Sequence, residues 1–152
     1  MKKVILYCLC CAIIVVIAQI FFRSYCLNNV ILGVTAGANE QTYPEYVDKI
    51  MGFGGVIKNN TMFPIKVKSV EPLDGSGVEY VTTAITKWGV SEISEEELLK
   101  KESLESKILE PFSEYSIGYF YKLTGEYMVN PDEYEITYSV LGIKFSKIEI
   151  FN

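Results

Sequence analysis

Apolar side chains run almost unbroken from Val4 to Phe22, with Gln19 as the one interruption in 19 residues. A core helix of a globular domain shows polar positions every third or fourth residue, and this stretch does not. As a helix it is about 28 Å long, close to the hydrocarbon thickness of a bilayer. Residues 1–23 therefore read as a transmembrane signal-anchor, with the membrane as the partner of residues 4–22. Lys2 and Lys3 precede the run and Arg23 alone follows it. That order favours a cytoplasmic N-terminus and an extracytoplasmic C-terminal domain, so a single-pass protein of the cell membrane is expected. The best small-x-small cleavage site, Ala36-Gly37-Ala38, lies far beyond the run, which favours an uncleaved anchor.

After the anchor the periodicity changes. Residues 24–45, with Asn28-Asn29, Gly33, Gly37 and Pro44, read as a connector to a domain over 46–152. Within that domain Tyr134, Ile136, Tyr138 and Val140 alternate with polar residues, as in a strand buried on one face. Tyr115, Ile117, Tyr119 and Tyr121 repeat the pattern. Ile65 and Val67 alternate with Lys66 and Lys68. A first strand is expected over 52–57, with Gly52-Phe53-Gly54-Gly55 as a turn or bulge before it. Val78–Trp88 is rich in β-branched residues behind the turn signal Asp74-Gly75-Ser76-Gly77. Asn130-Pro131-Asp132 is a turn before the Tyr134 strand. The last strand holds Ile143, Phe145, Ile148 and Ile150, and its slipped phase predicts a bulge at Ser146-Lys147. One segment differs: Ser94 with Glu97 forms a capping box, so a short helix over 94–104 is inserted between strands. The expected fold is all-β, a sandwich of about seven strands with a helical insert.

Charge sharpens this picture. All nineteen Asp and Glu follow residue 39, against eleven Lys and Arg beyond residue 23, so the chain after the anchor carries a net charge of −8. Such a balance argues against nucleic acid as a partner, and against adhesion to an anionic membrane or wall surface. The four cysteines, Cys8, Cys10, Cys11 and Cys26, all lie in or next to the anchor, so the domain has no disulfide framework. Arg23-Ser24-Tyr25 before Cys26 does not fit a lipid-attachment site.

Much chemistry is excluded by residue type. There is no His in the chain and no Cys in the domain, which removes Ser–His and Cys–His nucleophiles and the usual zinc, copper and haem ligands. Asp48, Asp74 and Asp132 are too scattered for a calcium loop. Ser103 and Lys107 read as a solvated face rather than a dyad, and Glu92, Glu95, Glu96 and Glu97 read as helix-start acids rather than paired catalytic carboxylates. Asn59-Asn60-Thr61 matches a glycosylation sequon, which a bacterial source would make a coincidence. No cofactor is called for. The remaining candidates are Tyr115, Tyr119 and Tyr121 on one strand face: either core, or an exposed platform for sugar or peptide.

The strand from Asn130 to Val140 resembles the late strand of bacterial immunoglobulin-like domains. Gly55-Val56-Ile57-Lys58-Asn59-Asn60-Thr61 followed by Pro64-Ile65-Lys66-Val67 resembles their opening strands, and Leu109–Glu114 before the Tyr115 strand fits too. The likeness covers residues 52–152 and extends to small membrane-anchored extracytoplasmic proteins of Gram-positive bacteria. It implies an immunoglobulin-like sandwich in which Tyr134 is a tyrosine corner, its hydroxyl bonding upstream backbone. The helical insert is not part of the pattern, and Trp88 stands at a strand end. The expected function is a non-enzymatic, membrane-tethered binding or accessory module for a protein or envelope component. The alternatives are a carbohydrate-binding domain using the Tyr face, and a structural subunit of a membrane complex.

Overall fold

A computed structural model describes residues 2–34, 41–42, 44–73, 75–86, 91–125, 127–129, 131 and 133–150. The chain opens with helix α1 (Lys2–Asn29), which passes directly into strand β1 (Val30–Val34). Then come β2 (Gln41–Thr42), a 3-10 turn at Pro44–Tyr46, β3 (Ile50–Asn59), β4 (Ile65–Pro72), β5 (Val78–Ile85) and β6 (Ser91–Ile93). Helix α2 (Glu95–Leu99), β7 (Ile108–Leu109), β8 (Ser113–Leu123), β9 (Tyr127–Met128), β10 (Glu133–Val140) and β11 (Ile143–Ile150) complete it. All pairings are antiparallel. One sheet runs β1-β3-β8-β5, with β6 also on β3; the other runs β11-β10-β4-β7; β2 and β9 form a two-stranded ribbon.

The alternation in the sequence sets the core. Ile57, Ile117, Tyr119, Tyr121 and Leu123 from the first sheet face Ile65, Val67, Tyr134, Ile136, Tyr138, Val140 and Phe145 from the second, all buried. Aromatic rings fill the space between the sheets: Tyr119 and Tyr134 lie 4.7 Å apart, and Tyr138 stacks on Phe145 at 5.4 Å. On the outer face of the second sheet Lys66, Lys68 and Lys144 lie in solvent.

Helix α1 is long and apolar enough to cross a membrane. It has 28 residues, about 42 Å, more than a bilayer core needs. The surplus is used by the domain. Residues 3–21 are exposed, whereas Phe22, Tyr25 and Leu27 pack against the core and Cys26 is fully buried within it. Phe22 meets Phe63 at 5.7 Å and Phe145 at 6.2 Å. A helix end leaves its last carbonyls without intrahelical donors. Here the domain supplies them: the Tyr138 hydroxyl donates to the Cys26 carbonyl at 2.9 Å, and the Asn60 amide to that of Asn29 at 2.8 Å. The stretch expected as a connector therefore holds the docked helix end and an edge strand, β1, registered from Val30↔Asn59 to Val34↔Gly55.

Three local expectations change. Gly52 to Gly55 lie inside β3 rather than at a turn or bulge before it. The expected helix over 94–104 shortens to Glu95–Leu99, with the Ser94–Glu97 capping box in place. No bulge occurs at Ser146-Lys147: β11 pairs with β10 in continuous register. The phase slips because Lys147 and Glu149 follow Phe145 on the inward side. There Lys147 Nζ sits 2.5 Å from Glu149 Oε1 and donates to the Val30 carbonyl at 3.1 Å, while Ile148 and Ile150 turn outward. Register shifts occur instead at Tyr80/Thr82 and Thr137/Tyr138.

Candidate functional site

The tyrosine face points inward. Tyr119 and Tyr121 are fully buried and Tyr115 is half-buried, so they form core and not an exposed platform. Burial pushes the phenols of Tyr119, Tyr121 and Tyr138 up from the ordinary range, and that of Tyr80 to about 12. Among the described residues the Tyr119 hydroxyl has no hydrogen-bond partner. Tyr134, expected to bond upstream backbone, has its hydroxyl 2.5 Å from that of Tyr121. The Tyr138 hydroxyl, four residues later, donates to upstream backbone, the Cys26 carbonyl near the end of α1.

On the other face of β8 the pattern is reversed. Phe120 points away from the sandwich core, yet it is only 3% exposed. Its ring lies flat against the sheet because Gly52 and Gly118 leave room for it: a Cβ on either would come within 2.6 and 2.9 Å of the ring. The segment between β5 and β8 then folds over it. Ile93 and Leu98 close a second small core with Ile50, Ala84 and Phe120. The α2 helix exists to present Leu98 to that core. Its first turn is held by Ser94 Oγ accepting from the Glu97 amide, and by Glu96 paired with Lys100 at 2.7 Å.

Beside this cap is a groove of about 620 Å³ between the insert and β5. Its floor is Val81, Thr82 and Ala84, and one wall is Leu98 and Leu99. Leu99 is 87% exposed and Val81 41%. Glu79 and Glu95 stand against Lys101 and Lys122 around it, so the apolar floor has a rim of both signs. One side of the groove is a sheet edge. Segment 102–104 covers the end of β5, with Ile85 N donating to Glu102 O at 2.8 Å and Leu104 N to Thr83 O at 3.0 Å. Over 78–82 no further strand is paired with that edge among the described residues. An open edge next to an apolar floor is the geometry that accepts an extended chain.

The remaining candidates are separated. Lys107 pairs with Glu102 at 2.6 Å and Ser103 Oγ accepts from the Glu105 amide, so no Ser–Lys dyad forms. Among the described residues no cluster of His, Cys, Asp and Glu is arranged to hold a metal. Trp88, Asp74, Asn130 and Asp132 lie outside the described residues.

Two features were not visible as such in the sequence. One is the groove, whose residues come from β3, β5, β8 and the insert. The other is Asn59, read as a sequon but fully buried. Its Nδ2 donates toward the carbonyls of Phe63, Leu109 and Glu110 at 2.8 to 3.1 Å, and its Oδ1 accepts from the Thr61 amide and hydroxyl. Asn-Asn-Thr after a strand was the available signal, because Asn and Thr close loops through such bonds. Comparison with known proteins found no matching family model, no matching curated protein and no matching solved structure.

Proposed function

We propose that the protein is a non-enzymatic, membrane-tethered binding module that holds an immunoglobulin-like sandwich on the extracytoplasmic side and takes an extended protein segment in the groove beside its insert. The order β1-β3-β8-β5 in one sheet and β11-β10-β4 in the other supports the immunoglobulin-like reading. Taken in chain order as strands A to G, these are the ABED and GFC sheets of the constant-type domain. Lys2 and Lys3 before the span, against Arg23 after it, support the orientation.

The observation that carries the binding role is the insert itself. Its short strands β6 and β7 join β3 and β4 outside the ABED–GFC frame, and between them it builds an apolar-floored groove with exposed Leu99 next to an open sheet edge. Buried aromatic cores do not need such a surface, whereas ligand sites do. The carbohydrate reading loses its support because Tyr119 and Tyr121 are inside.

A photo-crosslinking residue at Leu99, in the full chain in its native membrane, is expected to yield a defined protein adduct that Lys101→Glu abolishes. The same residue at Ser139, on the outer face of the second sheet, yields none. Absence of an adduct at 99, or equal adducts at both positions, sinks the groove assignment. A reporter fused after Asn152 should be active only outside the cytoplasm, and activity inside would reverse the orientation. Turnover of a substrate by the full chain, lost in Glu79→Gln, would overturn the non-enzymatic part.

A further inference from the structure

We infer that the sandwich sits directly on the bilayer, with three apolar loop tips, Met62, Phe112 and Leu141, inserted into the lipid headgroup region around the emerging helix. This rests on reading α1 as the membrane span, but not on the side of the membrane or on the groove's ligand.

The level of the bilayer surface follows from α1. Its exposed residues end at Phe21 and its packing against the domain begins at Phe22, after about the twenty residues a span requires. Arg23 comes next, its guanidinium 5.5 Å over the Phe145 ring, as suits a cation at the interface. Two residues later the Tyr25 hydroxyl accepts from the Met62 amide at 3.0 Å. The loop between β3 and β4 is therefore about one helical turn from the hydrocarbon edge. No tether separates them, because β1 starts at the residue after the helix.

The other two tips share that level. The Asn59 side chain bonds carbonyls of both the 60–64 loop and the 109–110 turn, fixing one to the other. Ile65 pairs with Leu109 on one side and Val140 on the other, so the turns at 110–112 and 141–142 leave the same end of the sandwich.

The tips are unusual in two ways. Met62, Phe112 and Leu141 are 59, 72 and 67% exposed. Phe112 and Leu141 also hold φ of 55° and 49°, a left-handed conformation that large side chains rarely adopt. Gly or Asn would relieve both turns, so the strained apolar residues point to a role outside the fold. Lysines flank the tips at 58, 66 and 144; Glu110 lies within them and Glu114 beside them, paired with Lys58 at 2.8 Å, although the domain as a whole is acidic. At the opposite end the 73–77 loop exposes Leu73 beside Gly75, Ser76 and Gly77. Apolar tips with flanking lysines, at the mouth of a spanning helix, fit a phospholipid interface.

The test uses the full chain in phosphatidylcholine vesicles with or without shallow, 6,7-brominated acyl chains. In a Trp88→Phe background, a single tryptophan replaces Met62, Phe112, Leu141, Leu73 or Ile14. Bromination is expected to lower emission about twofold at 62, 112, 141 and 14, and to leave 73 unchanged. Quenching at 14 with none at 62, 112 and 141 overturns the seating while leaving the span intact. No quenching at 14 overturns both. Phe112→Asn with Leu141→Asn should keep or raise the melting temperature in detergent. In the Met62→Trp chain the same pair should reduce quenching; unchanged quenching counts against the inference.

Discussion

Asn59 shows how one side chain can decide a region. It is fully buried and uses both ends of its amide, so a same-sized apolar residue would leave the Thr61 amide without its acceptor and take a donor from the carbonyls at 63, 109 and 110. Asn59→Leu should cost about 2–3 kcal/mol, read as a shift in the denaturation midpoint of the detergent-solubilised chain. The tyrosines carry a second consequence. Tyr80, Tyr119, Tyr121 and Tyr138 are harder to ionise when folded than when unfolded, because burial disfavours the phenolate. Above pH 10 the unfolded chain loses those protons first, so stability is whole below that pH and falls as pH rises. Each phenol contributes a slope of about 1.4 kcal/mol per pH unit, so four acting together should unfold the domain between about pH 10.5 and 12. Tyr119→Phe removes a hydroxyl that has no partner among the described residues. It should leave neutral-pH stability unchanged or raise it by up to about 1 kcal/mol, and make the alkaline loss shallower. A destabilised Tyr119→Phe would contradict this account. Period-two alternation put Tyr115, Tyr119 and Tyr121 on one face, but which face is inner depends on the opposing sheet, which a single strand's pattern does not carry. Lys147 misled for a related reason: an inward lysine looks like a phase slip until its partners, Glu149 and the Val30 carbonyl, are known.

Elements were legible where the local signal was strong. Ser94 and Glu97 marked the start of α2, because a capping box is made within four residues. Its end was not legible, since Leu98 and Leu104 are drawn to different places, the outer cluster and the main core. The Gly52–Gly55 stretch looked like a turn because glycine usually marks one. Here Gly52 clears space for Phe120 on one face, and Gly55 for the Tyr119 ring and the Gly33 carbonyl on the other, both long-range contacts. Gly118→Val should therefore displace Phe120 and loosen the insert, costing about 1–3 kcal/mol. Limited proteolysis between residues 86 and 112 would detect it, and wild-type resistance in that variant would refute the role given to the slot. Ser94→Ala should cost about 1 kcal/mol and act on the same segment.

At the scale of the molecule, the sequence spoke clearly for an apolar N-terminal helix long enough to cross a membrane, followed by a β-rich domain, and the structure has both. What it concealed was the joint. Asn28-Asn29 and Gly33 have loop-like composition, but Asn29 Nδ2 caps the Tyr25 carbonyl at 2.9 Å and the strand after it completes the first sheet. Inserting Gly-Ser-Gly-Ser between Asn29 and Val30 should break the two caps on the helix end and the Phe22 contacts. The expected cost is about 2–4 kcal/mol by thermal melting in detergent; an unchanged melting temperature would show anchor and domain to be independent.

That joint also bears on whether the domain could ever circulate freely. A flexible tether between a helix and a domain lets a protease release a folded product. Here every bond from Phe22 to Val34 lies in a docked helix end or an edge strand, and a cut there takes away Cys26, Val30 or Leu32 from the core. Removal at the small-x-small site Ala36-Gly37-Ala38 would discard all of β1 and lay bare the β3 edge from Gly55 to Asn59. A cut there would yield a damaged, aggregation-prone fragment, so helix end and domain are built to stay in one piece.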